Sequence, residues 1–276
     1  MKQEEARREL YFHADFGVDV IGDIHGCYEE FIELIEKLGY RLEPESQLYK
    51  HPEGRKILSL GDITSRGPES LPMLSFFIRH VKAGLAEMIE SNHGWKIARW
   101  LDGRRVTLAH GDELVEAEFL QYEQIHGKRK ANKLRYDSLE LLMTAPSHII
   151  LLDKGEQALI AVHAGIKDSY IGKESHAILN FCRYGDVDGM AADGRPIRKD
   201  WTVQHELPIL IVWGHDPRVE PERNPYTLNI DQGCVFGGKL TAYRYPEDEL
   251  VSVVAKKNYS GKTDTPLTRE LQRNQT

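Results

Sequence analysis

The stretch Val18-Asp19-Val20-Ile21-Gly22-Asp23-Ile24-His25-Gly26 decides how the chain is read. Val18 to Ile21 is a short apolar, β-branched run and is predicted as a buried strand. From Cys27 to Leu38, Tyr28, Phe31, Ile32, Ile35 and Leu38 fall at helical spacing, and Gly39 suits a helix end. A carboxylate and an imidazole therefore sit two residues apart in the turn after a strand. In open α/β folds that edge is where ligands bind. The flanking glycines let the backbone turn tightly, and Asp23 and His25 can aim at one metal ion. An isolated Asp-x-His turn is more often structural than metal-binding, so its weight comes from four partners further along the chain.

The same ending recurs. A strand over Lys56 to Leu60 runs into Gly61-Asp62-Ile63-Thr64-Ser65-Arg66-Gly67-Pro68, and one over Leu85 to Ile89 into Ser91-Asn92-His93-Gly94. Ala158 to His163 ends on its own histidine, and Pro208 to Trp213 leads to Gly214-His215. Five strand-like segments, each ending in a residue that can hold metal or phosphate, are hard to explain by core packing. Between them Leu71, Leu74, Phe77, Ile78 and Val81 form a helical stripe opened by Pro68. Arg41 to Gly54 reads as a polar connection and Asp168 to Lys199 as irregular. β segments are expected at His148–Leu152, Thr227–Asp231, Lys239–Tyr245 and Leu250–Val254. The expected organisation is a polar lead-in over residues 1–16, one α/β domain over 17–255 with a charged helical insertion over about 103–146, and a mobile tail over 256–276.

The bulk properties narrow the class. The chain has 276 residues, ample for a large core, with 41% hydrophobic and 29% charged residues. No apolar run is long enough for a membrane span, and the charged first ten residues do not read as a secretory signal. Cys27, Cys182 and Cys234 are scattered, which argues against a disulfide framework and fits a cytoplasmic location. A net charge of −7 disfavours long nucleic acid as a partner. A phosphorylated substrate would need local positive charge.

The series GDIHG, GDITSRGP, SNH, VHAG and GH resembles the calcineurin-like metallophosphoesterases over about residues 18–254. Asn92-His93 with Lys96 and Arg99, the run Asn229 to Ala242 and Arg244-Tyr245-Pro246-Glu247 narrow it. They are similar to the PrpE-type bis(5′-nucleosyl)-tetraphosphatases and to the phosphatase module of bacterial polynucleotide kinase-phosphatases. There is no P-loop, so a kinase half is excluded. The resemblance implies an α/β fold, a four-layer αββα sandwich, and two divalent ions. Manganese suits the mixed oxygen and imidazole donors, with iron, nickel or zinc as alternatives. By position, Asp23 and His25 would hold one ion, Asp62 would bridge, and Asn92, His163 and His215 would complete the second. A hydroxide shared by the ions would attack phosphorus. Arg66 would neutralise the phosphate and His93 would protonate the leaving group. Asp231 belongs to the narrower signature and is given a supporting role, a turn-capping role being equally open. His110, His126 and His205 match no ligand position.

Three positions depart from the pattern. Ser65 stands where the family carries an Asp that supports the charged form of the catalytic histidine. Ser91 replaces a Gly, and Gly94 replaces an acidic residue. The expectation is a His93 without a carboxylate partner, slow with poor leaving groups and improved by Ser65→Asp. The implied activity is hydrolysis of a small dinucleoside polyphosphate. A protein or small-molecule phosphomonoesterase and a weakly active nucleotide-binding relative are the alternatives.

Overall fold

The computed structural model describes residues 7–191, 196–263 and 266–273. Two six-stranded sheets pack face to face and helices cover both outer faces. The first sheet is built on parallel strands β2 (Val18–Ile21), β5 (Lys56–Ser59) and β6 (Ala86–Met88). Helices α1 (Tyr28–Lys37) and α2 (Ser70–Lys82) connect them. On its other side β2 pairs antiparallel with β15 (Lys239–Tyr245), which also carries β14 (Asp231–Gln232) and β16 (Glu249–Val254). The second sheet runs in the order β1 (Tyr11–His13), β7 (His148–Asp153), β8 (Glu156–Val162), β11 (Leu210–Trp213), β13 (Thr227–Asn229), β12 (Glu222–Asn224). Its central strands β8, β11 and β13 are parallel.

Side-chain alternation sorts residues into layers. Val18, Val20, Leu58 and Leu60 of the first sheet meet Ile149, Leu151, Leu159, Ala161, Val212 and Leu228 of the second, and form the inter-sheet core. The opposite faces point outward. Ile21, Ile57 and Met88 pack under Phe31, Leu34, Leu74 and Phe77 of α1 and α2. Ile160, Val162, Ile211 and Trp213 are covered by Ile178 and Cys182 of α6 (His176–Tyr184) and by Trp201. This is the four-layer αββα arrangement. After α3 (Asn92–Leu101), helices α4 (Glu113–His126) and α5 (Lys128–Met143) lie on the first sheet's helical side, where Val115, Phe119, Leu141 and Leu142 join its core.

Several segments differ from their sequence reading. Residues 1–6 of the expected lead-in lie outside the described residues, but Tyr11–His13 is a strand of the domain, parallel to β7. Arg7 and Arg8 ion-pair with Glu90 and Glu87. Three residues are too few to show periodicity. The polar connection contains the hairpin β3 (Arg41–Glu43) and β4 (Leu48–Lys50), and the irregular stretch contains β9 (Asp186–Met190) and β10 (Pro196–Lys199). Both hairpins are largely exposed and carry no buried apolar face to announce them. The expected tail is structured where described. Tyr259 Oη and the Lys256 amide donate to Glu30 Oε1 at 2.7 and 2.9 Å, and Pro266–Arg273 forms α7. Residues 264–265 and 274–276 lie outside the described residues.

Candidate metal centre

The parallel strands of both sheets end at one edge of the sandwich, and the loops there turn abruptly. His25, Asp62, Ser65, Arg66 and His215 all have positive φ, between 40° and 74°. Left-handed backbone at such residues costs about 1–2 kcal/mol each and clusters at functional sites. The surroundings enforce it. The His25 amide donates to Asp62 O at 2.7 Å and the Gly26 amide to Ile63 O at 3.0 Å, locking the first two loops together. Gly67 packs so closely on this pair that a Cβ there would overlap the carbonyl oxygen of His25.

These loops gather the residues singled out from the sequence. Asp62 Oδ2 lies 3.4 Å from His25 Nε2 and 3.6 Å from His163 Nε2. Two donor sets share it: His25, Asp62 and His93, and Asp62, His163 and His215, each within 4.8 Å. Asp23 Oδ2 accepts the His215 amide at 3.1 Å, while its Oδ1 is buried with no hydrogen-bond partner. Asn92 Oδ1 lies 2.8 Å from His163 Nε2. His25 Nδ1 lies 3.1 Å from Thr64 O and His163 Nδ1 lies 2.9 Å from Leu60 O. Those carbonyls take the Nδ1 protons and leave both Nε2 lone pairs facing Asp62.

Electrostatics favour a cation here. Burial holds the imidazoles neutral: His25 is lowered to about 3 by desolvation and then by Arg66, and desolvation also lowers His163 and His215. For Asp62, burial opposes ionisation, but the carboxyl still lies well below its usual range, because at the acid pH where it would protonate His163, His93, His25 and His215 are themselves charged and repel a further proton. Asp23 is pushed up by burial, Asp231 and Asp62, and Asp231 is raised to about 7, first by burial. An orphaned carboxylate oxygen, lone pairs of Asn92 and His163 facing each other, and carboxyls raised for lack of countercharge are what divalent ions would satisfy. The residues present fit the group.

His93 is the exception to its sequence reading. Its Nδ1 lies 2.6 Å from Oδ1 of Asp112, a fully buried residue just before α4. Lys96 Nζ lies 2.6 Å from Asp112 Oδ2. Burial opposes the ionisation of Asp112, yet the hydrogen bond from His93, Lys96 and the Ser65 hydroxyl bring it down to about 2. The expectation that His93 lacks a carboxylate partner is therefore overturned. The sequence signal of Asp112 is that of a helix N-cap, but its φ and ψ of −71° and −26° are helical and its side chain makes no cap hydrogen bond. It turns to His93 instead. The other two departures explain each other. Ser91 Oγ caps α3 by accepting the Gly94 amide at 3.1 Å, and a Cβ at position 94 would press on that oxygen at 3.0 Å.

Two guanidinium groups border the site. Arg66 Nη2 is 3.0 Å from His93 Nε2, and Arg198 Nη2, from β10, is 2.9 Å from His215 Nε2. Arg198 was missed because β10 has no apolar pattern. A cavity of about 180 Å³ beside it is lined by Tyr184, Trp201, Trp213 and Arg218, and another of about 220 Å³ lies beside Arg66, His110, Phe236, Tyr259 and Lys262. Asp231 is buried beside Asp23, and its Oδ1 accepts the Gly233 amide at 2.9 Å, so it does cap its turn. His205 is held structurally by Asp168 and Ile209 O, and His126 packs on Tyr122 away from the site.

Known proteins resemble this chain in sequence and in fold. The calcineurin-like phosphoesterase family model matches residues 16–224. The asymmetrical bis(5′-nucleosyl)-tetraphosphatase PrpE of Anoxybacillus flavithermus is 43% identical over 250 residues, 90% of this chain and 98% of that protein. The Oceanobacillus iheyensis PrpE is 41% identical over 88% of this chain and 94% of its own length. Among solved structures, one described as a candidate diadenosine tetraphosphatase superposes with a TM-score of 0.62 at 18% identity, covering 90% of this chain and 99% of its own. A cold-active protein-tyrosine phosphatase from a psychrophilic Shewanella gives 0.56 at 15%, covering 95% and 83%. Those two likenesses speak to the fold. No described helix is long and apolar enough to cross a membrane. With donor sets for divalent ions at the strand ends and a family match over most of its length, the chain belongs to the calcineurin-like phosphoesterases and is a metal-dependent hydrolase.

Proposed function

We propose that the protein hydrolyses a phosphoanhydride bond of bis(5′-nucleosyl) tetraphosphates, asymmetrically, with two manganese ions. The observation that carries this is the sharing of Asp62 between two donor sets in a chain more than 40% identical to PrpE enzymes over most of its length. Asp23, His25 and Asp62 would hold one ion, and Asp62, Asn92, His163 and His215 the other. Ions held there would polarise phosphoryl oxygens and supply an activated water.

The chain's own groups do the rest. Arg66 and Arg198 are fixed cationic forks at opposite sides of the centre and grip the non-reacting oxygens of the polyphosphate. Phosphate draws Arg66 off His93 Nε2, which frees that nitrogen to take up a proton from water and pass it to the departing oxygen. Asp112 and Lys96 hold the opposite side of the ring. The buried, left-handed loops keep the donors in place before substrate arrives.

The test is incubation with manganese and diadenosine tetraphosphate, with products separated by chromatography. ATP and AMP in equal amounts are expected. Two ADP would refute asymmetric cleavage, and no turnover in manganese, iron, nickel or zinc would refute the function.

A further inference from the structure

We propose that Asp112 is the positioning residue for His93, and that the helical insertion thereby supplies a part of the catalytic apparatus that the strand-end loop lacks. The inference rests on the reading of His93 as proton donor. The Asp112 carboxylate is completely buried, 2.6 Å from His93 Nδ1, with Lys96 at 2.6 Å on its other oxygen. A buried carboxylate so placed fixes which nitrogen of the ring bears hydrogen and turns Nε2 toward the centre. Ser65 is also fully buried, and its hydroxyl makes no hydrogen bond of good geometry while belonging to the group that stabilises Asp112. The space around His93 Nδ1 thus holds one short uncharged side chain from the loop after β5 and one acidic side chain from the loop before α4.

The loop before α4 is tied to the site independently of that side chain. The Arg66 amide donates to Gly111 O at 3.1 Å, and a Cβ on Gly111 would overlap the Arg66 backbone. Glu118 of α4 accepts the amides of Ser70 and Leu71 at 2.9 and 2.8 Å, pinning the first turn of α2. Asp112 is therefore carried on a segment clamped at one end to Arg66 and at the other to the start of α2, into which the Arg66 loop runs. Moving a carboxylate from one loop to the other conserves charge at one point in space while changing which loop delivers it.

Asp112→Ala, Ser65→Asp and the double variant, purified with manganese, separate this from a structural role. Two readouts are used. In proton NMR, recorded on the same proteins after the paramagnetic manganese is exchanged for diamagnetic zinc, the hydrogen on His93 Nδ1 is expected far downfield in the parent, lost in Asp112→Ala and regained in the double variant. In kinetics on diadenosine tetraphosphate and on aryl phosphates of graded acidity, Asp112→Ala is expected to lower kcat about 100-fold where the leaving group is poor and at least tenfold less where it is good, with KM within about threefold. The double variant recovers most of the poor-leaving-group loss. Persistence of the downfield hydrogen in Asp112→Ala, an equal loss across leaving groups, or a double variant no better than Asp112→Ala would overturn the proposal. Failure of the parent to turn over any substrate would overturn the proposed function instead, and the NMR comparison still decides the placement of Asp112. If Asp112→Ala does not fold, Asp112→Asn keeps the volume and carries the same kinetic comparison.

Discussion

The main-chain amide of His215 donates to Asp23 Oδ2 across 3.1 Å, so the end of β11 in one sheet is fastened to the end of β2 in the other. The same carboxylate leaves Oδ1 buried and unpaired. One side chain thus joins the two halves of the sandwich and offers a free oxygen to the centre.

Asp23→Asn keeps an acceptor for the His215 amide but removes the charge. The fold is expected to survive, with the melting temperature of the metal-free protein unchanged or raised, because a desolvated carboxylate has been neutralised. Bound manganese, measured by elemental analysis, should fall from about two ions per chain toward one. Full retention of both would refute the assignment of Asp23.

Metal removal should destabilise the protein. Asp23 and Asp231 are raised by burial and by neighbouring carboxylates, a repulsion that divalent ions would relieve. A site filled at about 100 times its Kd contributes about 2.7 kcal/mol. At this chain length that corresponds to a rise of roughly 5–10 °C per site. Scanning calorimetry with EDTA and with manganese measures it.

Ser65→Asp on its own should harm the protein, the opposite of what the sequence suggests. Asp112 already occupies the position beside His93. A second buried carboxyl beside it must either stay protonated or repel the first. A fall in kcat of about tenfold at saturating manganese, with a lower melting temperature, is expected, and a rise would count against the role of Asp112.

Two buried histidines away from the centre set an acid limit. His80 sends Nδ1–H to Phe76 O at 2.7 Å and takes the Tyr49 amide on Nε2 at 2.9 Å, and His148 takes the Gly172 amide on Nε2 at 2.9 Å. A proton on either Nε2 would break a hydrogen bond. Burial accordingly lowers both to about 4. The unfolded chain binds these protons near pH 6.5 and the folded one only near pH 4. Their contribution is whole above pH 6.5 and is lost as pH falls through that window, on the order of 3 kcal/mol each. Urea unfolding with EDTA at pH 7.5 and 5.0 should show a smaller loss for His148→Gln than for the parent. An equal loss would refute the assignment.

The α/β plan and the residues at the strand ends were legible because each announces itself locally. A β-branched run such as Val18–Ile21 specifies a buried strand, and the polar residues after it occupy the turn at that strand's end. The fold's parallel wiring then brings those turns to one edge. Short pieces such as Tyr11–His13 and Pro196–Lys199 were not legible, since they are largely exposed, carry no buried apolar run, and take strand geometry from the neighbour they pair with.

By itself, the sequence determined the order of the buried strands and the helices between them, the family, and which polar side chains lie at strand ends, since these depend on local pattern and on motif. Only the tertiary structure decided which carboxylate serves His93. Asp112 and His93 are nineteen residues apart, and nothing in the spacing joins them. Their contact exists because the insertion packs on α2 and α3 and lowers its first residues into the centre, a relation of surfaces that no linear pattern encodes.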